Sequence, residues 1–379
     1  MKILVICDRD WTHPQAGGAG MNLRRQTEYW LEWGHAVTIA TVSYAGASAH
    51  EDHGPLRIYR MGTTHTVYLH VARALSRGLG RDADVVMEVV NGVPWVSRWF
   101  TRRPTAVMIH HVCQQQYDFE FAWPISSIGK ALEGQVMPLL YRGLEFITVS
   151  ETSKADLKSL GISPDRITVV HNGADHAFEA PFDTVHRAAI SGDLSFKSEH
   201  PTLVYLGRLK RYKRVDELIR LLVPLLRARP TARLHIVGDG DFRQELERLA
   251  ATLGVAESVE FFGHVDEKAK MEILASSWLA VTASDVEGWS ISTMEAAAVG
   301  CPTVALSTSG IRESVIDNET GFVCSDPVHF QQSCAIVLDD IDLRRRLASG
   351  AARRAEAFTW EQAAKDTLAV LERVAATAH

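Results

Sequence analysis

The chain has 379 residues, of which 46% are hydrophobic and 23% are charged, and its formal net charge at pH 7 is -6. A chain of this length is too long for one compact core, so two globular domains of ordinary size are expected. Nucleic-acid-binding proteins typically carry an excess of basic residues, whereas the net charge of this chain is negative. No nucleic-acid partner is therefore expected. Contact with a membrane surface stays open, because a local basic patch is compatible with an acidic total.

The N-terminus and the cysteines indicate the cellular compartment. The chain enters a strand pattern at MKILVICDRDW, without the apolar core or cleavage site of a signal peptide, and no run of about 18 apolar residues predicts a transmembrane helix. We therefore expect a cytoplasmic protein. The five cysteines are odd in number and lack CxxC spacing, which favours reduced residues buried in strands over disulfides or metal ligands.

Short apolar runs alternate with amphipathic segments through the first half of the chain. The runs are rich in β-branched residues, and they are KILVIC, AVTIAT, ADVVMEVV, TAVMIHH, LEFITVS and RITVVHN. Helical patterns such as residues 22–33 and 129–141 separate them. Strands that alternate with helices predict a parallel sheet with crossover helices, here in an N-terminal domain of residues 1–175.

The pattern breaks at residues 176–201, which mix proline, glycine, serine and charge without a clear period and are predicted to be an interdomain linker. Alternation resumes over residues 202–359 with TLVYLG, ARLHIVGDG, SVEFFG, WLAVTAS and CPTVALS, separated by helices that include residues 215–227 and 242–253. The sequence thus predicts an α/β fold of two Rossmann-like, doubly wound domains that face each other across a cleft. Ligands of such sheets bind at the carboxyl ends of the strands.

The first informative loop contains Gly17, Gly18, Ala19 and Gly20, between the first strand and the next helix. Glycines let a backbone approach a ligand closely, and the following helix start offers N–H groups to an anion. Dinucleotide binding is a rival interpretation. It is disfavoured because Leu23 replaces the last glycine of GxGxxG and the next strand ends without an acidic residue. A tight turn without a ligand is the plainer alternative.

The second loop, GRLKRYKR, follows the first strand of the second domain and contains Arg208 and Lys213. A guanidinium can bind two phosphate oxygens at once, and an ammonium acts as a point charge. Three further basic residues crowd the same stretch, so a solvated basic loop is an equal alternative.

The third loop, EGWSIS, begins at Glu287 and leads from a strand into a helix that continues as TMEAAAVG. A helix start near Ser290, Ile291 and Ser292 predicts an anion site made by backbone N–H groups. Glu295 lies further along the same helix. A diphosphate suits the helix start and a hydroxyl-rich group suits each carboxylate. A capping carboxylate and a solvated helix glutamate are the plainer alternative.

Several motifs together resemble the retaining glycosyltransferases of family 4. They are GGAG near the N-terminus, VVHNGAD before the linker, GRL followed by Lys213, EGW with Glu287 and Glu295, and the downstream GCPTVA, SGIRESV, TGF and FTWEQAA. Their order and spacing cover nearly the whole chain. The resemblance implies the GT-B fold, in which the N-terminal domain binds the acceptor and the C-terminal domain binds a nucleotide sugar. It also implies that a C-terminal helix at residues 360–379 packs back onto the N-terminal domain.

The resemblance assigns roles on the donor side. It implies that Arg208 and Lys213 bind the donor diphosphate together with the helix start at residues 290–292. Glu295 matches the glutamate that hydrogen-bonds the nucleotide ribose, and Glu287 matches the one beside the donor sugar. The chain departs from the family pattern at His171, where proline is usual, and at Ser290, where glycine or phenylalanine is usual. These departures concern the fine shape of the donor pocket and leave the class unaffected.

On the acceptor side, the resemblance implies an acceptor or phosphate loop at residues 17–20. His110 in VMIHHV matches a histidine that the family places near the donor sugar and the reacting centre. The adjacent His111 stays an alternative, because strand alternation would point the two side chains to opposite sides.

The implied reaction uses a UDP- or GDP-linked sugar as co-substrate and needs no other cofactor. Cations and N–H donors would stabilise the leaving diphosphate, and family members retain the anomeric configuration by attack on the same face without a protein nucleophile. DxD triplets, which bind metal in other glycosyltransferases, begin at Asp8, Asp82 and Asp239. So short a pattern recurs by chance, and the resemblance disfavours a metal site.

The acceptor is expected to be a saccharide, a lipid-linked sugar or a small molecule. Tyr117, Phe119, Phe121 and Trp123 alternate in an apparent loop of the N-terminal domain, where they either stack on sugar rings or a lipid chain or simply pack the loop.

Two stretches combine basic with aromatic residues, VPWVSRWFTRRP and the series Arg73, Arg77 and Arg81. A solvated helix face is the favoured interpretation of both, and peripheral contact with the inner face of the membrane is the alternative.

Two other functions share parts of these features. A GT-B sugar-nucleotide epimerase or hydrolase has the same donor chemistry but no acceptor. A non-catalytic ligand-binding protein of two domains shares only the cleft, and the missing export signal disfavours it. The sequence specifies neither the sugar, the nucleotide base, the linkage nor the oligomeric state.

Overall fold

The computed structural model describes residues 1–174, 181–306 and 310–377. The chain divides into two compact units, one formed by Met1–Asn172 with Trp360–His379 and the other by Gly173–Thr359. Each unit is built on a mainly parallel sheet. The predicted α/β class with two Rossmann-like sheets is thereby confirmed.

The first unit contains an eight-stranded sheet in the order β3-β4-β2-β1-β5-β6-β7-β8. Its strands are β1 (Lys2–Ile6), β2 (Ala36–Thr41), β3 (His50–His53), β4 (Leu56–Arg60), β5 (Val85–Val89), β6 (Thr105–Ile109), β7 (Glu145–Thr148) and β8 (Ile167–Val169). β3 pairs antiparallel with β4, and the other neighbouring pairs are parallel. Every residue of β5 and β6 is buried, as expected for central strands of a parallel sheet.

Six helices of the first unit come before the second unit in the chain. They are α1 (Gly17–Glu32), α2 (Val67–Ser76), α3 (Gln116–Glu120), α4 (Ile125–Ala131), α5 (Met137–Leu140) and α6 (Glu151–Ser159). A π-helical turn at Leu132–Val136 joins α4 to α5.

The second unit contains a six-stranded parallel sheet in the order β11-β10-β9-β12-β13-β14. Its strands are β9 (Thr202–Leu206), β10 (Arg233–Val237), β11 (Val259–Gly263), β12 (Leu279–Thr282), β13 (Thr303–Leu306) and β14 (Gly321–Cys324). Its helices are α7 (Asp183–Ser191), α8 (Val215–Ala228), α9 (Arg243–Thr252), α10 (Glu267–Ser276), α11 (Ile291–Ala298), α12 (Ile311–Ser314), α13 (Pro327–Asp339) and α14 (Ile341–Ala355).

The last helix, α15 (Trp360–Ala376), belongs to the first unit. It packs against α1, where Trp30 donates from its indole Nε1 to the carbonyl of Ala364 over 3.0 Å. Trp30 and Trp360 are both fully buried. A C-terminal segment thus completes the core of the first unit.

The predicted linker at residues 176–201 lies partly outside the described residues. Its described part is more than a linker, because Asp183–Ser191 forms α7 in the second unit. This helix packs against α14 and buries His186 and Ala189. Two buried positions on a helix of nine residues give too weak a period to show in the sequence.

All five cysteines are buried and none forms a disulfide. Their expected placement in strands is correct only for Cys324, since Cys334 lies on α13 and the other three lie in loops. Within the described parts of the chain, no helix combines the length and the apolar character that crossing a membrane requires.

Candidate functional site

The loops after β9 and β12 meet at one edge of the second sheet, because these two strands are parallel neighbours. The carbonyl of Tyr212 accepts from the backbone N–H of Asp285 over 2.8 Å. The loop after β10 is equally close, since a Cβ on Gly238 would lie 2.0 Å from the carbonyl oxygen of Gly207. Glycine at residue 238 therefore permits the contact between these two loops.

Lys213 and Glu287 form an ion pair between the β9 and β12 loops. Lys213 Nζ donates to Glu287 Oε1 over 2.6 Å, and only 14% and 15% of the two side chains is exposed. A third segment supports this pair, because the N–H of Gly310 donates to the carbonyl of Glu287 over 3.0 Å. A Cβ on Gly310 would lie 2.2 Å from the carbonyl oxygen of Gly288, so only glycine fits there.

The basic residues of the β9 loop fall into two groups. Lys210, Arg211 and Arg214 pair with Asp241, Glu245 and Asp285, over 2.9, 2.7 and 3.2 Å respectively. Arg208 has no carboxylate partner in the described parts of the chain, and its Nη2 donates to the hydroxyl of Tyr212 over 3.0 Å. The solvated-loop interpretation therefore fits the first three residues, whereas Arg208 and Lys213 lie at the site.

Helix α11 begins at Ile291, inside the predicted range. Ser290 precedes it with a φ of 62°, in the left-handed region that residues other than glycine rarely adopt. Its Oγ lies 2.7 Å from Thr293 Oγ1, which anchors the turn. The first N–H groups of a helix have no carbonyl partner within it. The N–H groups of Ile291 and Ser292 are in this first turn, directly after the loop that carries Glu287.

Glu295 is buried on α11, and its partner was not found from the sequence. Lys270 of α10 donates from Nζ to Glu295 Oε1 over 2.7 Å, and it also lies 2.8 Å from Glu267 Oε2. Burial alone would lower the pKa of Lys270, but the charges of Glu295 and Glu267 raise it above its usual range. The sequence signal for this partner is a lysine on the buried face of α10. It can be recognised only after the structure shows which face of the helix is buried.

His110 follows β6 directly in the first unit and is 9% exposed. Burial, with a smaller effect of the His111 charge, lowers the pKa of His110 to about 4, so its imidazole is neutral near pH 7. Its carbonyl accepts from Ser153 Oγ over 3.2 Å, whereas its Nε2 is buried without a hydrogen-bond partner among the described residues. His111 differs, because its Nε2 lies 2.9 Å from Gln116 Oε1.

The glycine-rich stretch at residues 17–20 was expected to be a loop, but it forms the first turn of α1. Gly17 opens the turn with a φ of 61°. A Cβ on Gly20 would lie 2.5 Å from the Cβ of Ala16 and 3.3 Å from the Cα of Trp11, so close packing requires glycine there. This turn and His110 lie at the same edge of the sheet, with β5 between their strands.

The aromatic stretch 117–123 is also not a simple loop, because its first part forms α3. Tyr117 packs against Gly92 and Gly129, where a Cβ on either glycine would clash with the tyrosine ring. Phe119, Phe121 and Trp123 are exposed, Trp123 by 82%. The packing interpretation therefore fits Tyr117, and the other three aromatic side chains remain accessible.

Glu133 is a buried carboxylate near the histidines that sequence analysis did not identify. It lies in the π-helical turn and accepts from the backbone N–H of Cys113 over 2.7 Å and from Gln114 Nε2 over 2.8 Å. Burial raises its pKa, while these hydrogen bonds oppose the shift. Glu133 thus anchors the segment that directly follows His110 and His111.

The acidic residues of the DxD triplets have local partners. Asp10 forms a buried ion pair with Arg60 over 2.7 Å, and Asp8 accepts from Asn91 Nδ2 over 2.7 Å. Asp82 and Asp84 both accept from Lys2, and Asp241 pairs with Lys210. In the described residues, no cluster of three or more histidine, cysteine, aspartate or glutamate side chains is arranged to hold a metal.

The fold is that of the GT-B glycosyltransferases. Sucrose-phosphate synthase from Thermosynechococcus elongatus aligns over 100% of both chains with a TM-score of 0.81 at 17% identity. Alr3699/HepE from Anabaena, solved in complex with UDP-glucose, aligns over 100% of this chain and 99% of that chain, with a TM-score of 0.73 at 17% identity.

Two family models match successive parts of the chain. The Glycosyltransferase Family 4 model matches residues 16–178, and the Glycosyl transferases group 1 model matches residues 186–354. The chain therefore belongs to the group 1 glycosyltransferases of the family 4 type, and the protein is a transferase.

Two curated relatives carry names of the same class. An uncharacterized glycosyltransferase from Methanocaldococcus jannaschii, MJ1607, is 24% identical over 98% of this chain and 97% of its own length. D-inositol 3-phosphate glycosyltransferase from Streptomyces scabiei is 32% identical over 55% of this chain. That alignment spans only 48% of the Streptomyces protein, about half its length.

Proposed function

We propose that this protein is a retaining glycosyltransferase of the cytoplasm. It transfers a sugar from a UDP- or GDP-linked donor to a hydroxyl group of a saccharide, glycolipid or small-molecule acceptor, without a metal ion. The observation that carries the proposal is the 2.6 Å contact between Lys213 and Glu287, beside Arg208 and the start of α11.

The donor diphosphate fits this edge of the second sheet. Arg208 supplies a guanidinium without a carboxylate partner among the described residues, and Lys213 supplies an ammonium that is already fixed in position. The first N–H groups of α11 add donors at a positive helix end. Additional support comes from HepE, whose crystal structure contains UDP-glucose.

The two glutamates suit the two ends of the donor. Glu287 lies on the β12 loop, paired with Lys213 of the β9 loop, and its carboxylate can accept a hydrogen bond from a sugar hydroxyl. Glu295 lies one helical turn beyond Ser292, held by Lys270, and suits the ribose hydroxyls of the nucleotide. Hydrogen bonds to a charged carboxylate are stronger than those between neutral groups.

In the proposed reaction, the bond between the anomeric carbon and the diphosphate oxygen breaks while the acceptor oxygen bonds to the same face of the sugar. The acceptor proton passes to the leaving phosphate oxygen, and both electrons of the broken bond remain on the diphosphate. Arg208, Lys213 and the α11 N–H groups stabilise the charge that develops there. His110, whose imidazole is neutral near pH 7, has the role that the family gives to its matching histidine near the reacting centre.

Thermal unfolding with UDP and GDP, each with and without EDTA, tests the donor site. At ligand a hundredfold above its Kd, binding should stabilise the protein by about 2.7 kcal/mol. Arg208→Gln should remove most of this shift. Arg211→Gln is the matched control, because Arg211 pairs with Glu245 on the surface. A shift with neither nucleotide, or only with added magnesium or manganese, contradicts the proposal.

Product analysis tests the transfer itself. Nucleotide sugars are incubated with a panel of saccharide, lipid-linked and small-molecule acceptors, and mass spectrometry detects the glycosylated products. The anomeric proton coupling in NMR then gives the configuration, which should match that of the donor. Inversion would refute the same-face mechanism. Conversion of the nucleotide sugar without any acceptor would instead identify an epimerase or hydrolase.

A further inference from the structure

The first unit exposes a dense group of cationic and aromatic side chains in the turn before β5 and in the segment between β5 and β6. We define the arginine–aromatic surface as Arg81, Arg98, Trp99, Phe100, Arg102 and Arg103, all of which are exposed. Trp99 is 63% exposed and Phe100 is 37% exposed. Large aromatic side chains in a short exposed segment are uncommon on a protein surface that contacts only water.

Contacts within the first unit join these residues into one surface. Arg103 Nη2 donates to the carbonyl of Arg81, which brings the turn after α2 against the segment before β6. Arg81, Phe100, Arg102 and Arg103 also line one open cavity of about 680 Å³. Arg98 Nη1 lies 3.4 Å from the carbonyl of Leu140, so the surface reaches the end of α5.

Two further elements of the first unit also expose apolar and basic side chains. Leu69 and Arg73 of α2 are spaced by four residues on one exposed face, and the exposed Arg77 follows directly after the helix. Beside Arg98, the end of α5 exposes Leu139 by 76%, and the exposed Arg142 follows three residues after Leu139. Exposed leucine and arginine side chains are thus also present on these two elements.

The arginines of this surface outnumber the carboxylates around it. None of its four arginines has a carboxylate within 4.0 Å in the described part of the chain, although ion pairs are frequent elsewhere in the molecule. The nearby Asp82 is paired with Lys2, and Asp84, which accepts from the Lys2 backbone N–H, is the one carboxylate among the described residues that line the cavity. A concentrated positive patch on a chain of net charge -6 indicates an anionic partner.

We propose that the arginine–aromatic surface docks the first unit on an anionic lipid bilayer. Arginines bind lipid phosphates, while an exposed indole, a phenyl ring and two leucines enter the boundary between headgroups and acyl chains. The apolar side chains favour a bilayer over nucleic acid or free phosphate, neither of which offers an apolar phase. The proposal does not depend on the proposed transfer chemistry.

Co-sedimentation of the full chain with vesicles tests the docking. One set contains only phosphatidylcholine, and the other contains phosphatidylcholine and phosphatidylglycerol in a two-to-one ratio. Binding is expected only to the anionic set at about 0.1 M NaCl, and it should weaken at about 1 M NaCl because salt screens the charges. Equal binding to both sets, or none to either, overturns the proposal.

Matched variants locate the surface. Arg102→Gln/Arg103→Gln should reduce affinity for anionic vesicles about 30-fold. Each arginine near the membrane surface contributes about 1 kcal/mol, which is roughly fivefold in affinity, and two arginines are removed. Arg220→Gln/Arg227→Gln on α8 removes the same charge from exposed residues of the second unit and should leave vesicle binding unchanged. Trp99→Ala should weaken binding without altering the charge. Equal losses in both double variants would refute the assignment to this surface.

Folding and the alternative partners are checked in the same samples. The variants should keep the wild-type unfolding midpoint, because the substituted side chains are exposed. Binding of single-stranded DNA without binding of anionic vesicles would overturn the proposal in favour of a nucleic-acid partner. Sedimentation velocity showing a dimer that Trp99→Ala disrupts, again without vesicle binding, would overturn it in favour of a second copy of the chain.

Discussion

Lys270 on α10 and Glu295 on α11 form a buried ion pair, in which Nζ lies 2.7 Å from Oε1. Only 8% and 4% of the two residues is exposed. The pair links the carboxylate proposed to bind the nucleotide ribose to a helix that carries no family motif. The position of Glu295 therefore depends on a lysine outside the motifs.

Lys270→Met should destabilise the second unit and weaken UDP or GDP binding. Removing one partner of a buried ion pair costs about 3 to 5 kcal/mol. Loss of the Lys270 ammonium removes a charge that favours the ionised Glu295 carboxylate, so nucleotide affinity of the variant should increase with pH more steeply than that of the wild type. Calorimetry at several pH values measures this slope, which should be small in the wild type.

Lys268→Met is the matched control for this prediction. Lys268 lies on the same helix, is exposed and reaches Glu272 only at 3.8 Å, so its loss should cost less than about 1 kcal/mol. A pH-independent nucleotide affinity in Lys270→Met would show that the lysine supports the fold alone.

Single alanine variants should separate the roles of the two site glutamates. Glu295→Ala should weaken nucleotide binding by about 1.5 to 3 kcal/mol, the value of a hydrogen bond to a charged group. Glu287→Ala should keep UDP or GDP binding, since it leaves the Lys213 ammonium available to the diphosphate, but turnover should fall. Titration calorimetry and initial rates distinguish the two effects. The reverse pattern would exchange the two roles.

Those features of the site that each lie within a single loop could be predicted from the sequence. The cations at residues 208 and 213 and the helix start at 290–292 follow from local motifs at strand ends, and parallel pairing of β9 with β12 brings these loops together. The distinction between Arg208 and its paired neighbours could not be predicted, because Asp241 and Glu245 become their partners only in the folded unit.

Other elements could not be predicted because they depend on tertiary contacts that the local sequence does not specify. Lys270 and Glu133 each stabilise a site segment from another helix, at sequence separations of 25 and 20 residues. Helix α7 has only two buried positions, and the glycine-rich stretch resembles a loop although it opens α1. In each case the local pattern is compatible with more than one structure, and packing selects one of them.

His110 should make the protein less stable in acid. Its pKa of about 4 in the fold lies below the ordinary value of 6.5, so the unfolded chain binds a proton at a higher pH than the folded chain does. Stability from this group is therefore complete above about pH 6.5 and is lost as the pH falls towards 4. The shift corresponds to about 3 kcal/mol at most.

Denaturant unfolding of wild type and His110→Gln between about pH 7 and pH 4 measures this contribution. The stability difference between the two proteins should shrink by roughly that amount as the pH falls, because glutamine does not titrate. His264→Gln, at an exposed histidine, is the control and should show a constant difference. A constant difference for His110→Gln as well would mean that its imidazole is not desolvated.

The last prediction concerns turnover. His110→Ala should fold and bind UDP or GDP normally, since nucleotide binding is proposed for the second unit, but it should lose transferase activity by roughly 10²-fold or more. The reason is that His110 follows the carboxyl end of β6 with a buried, neutral imidazole whose Nε2 has no partner in the described residues. His111→Ala is the matched comparison, because His111 already bonds Gln116 and is expected to matter less. Near-normal turnover in His110→Ala beside a severe loss in His111→Ala would assign the role to His111.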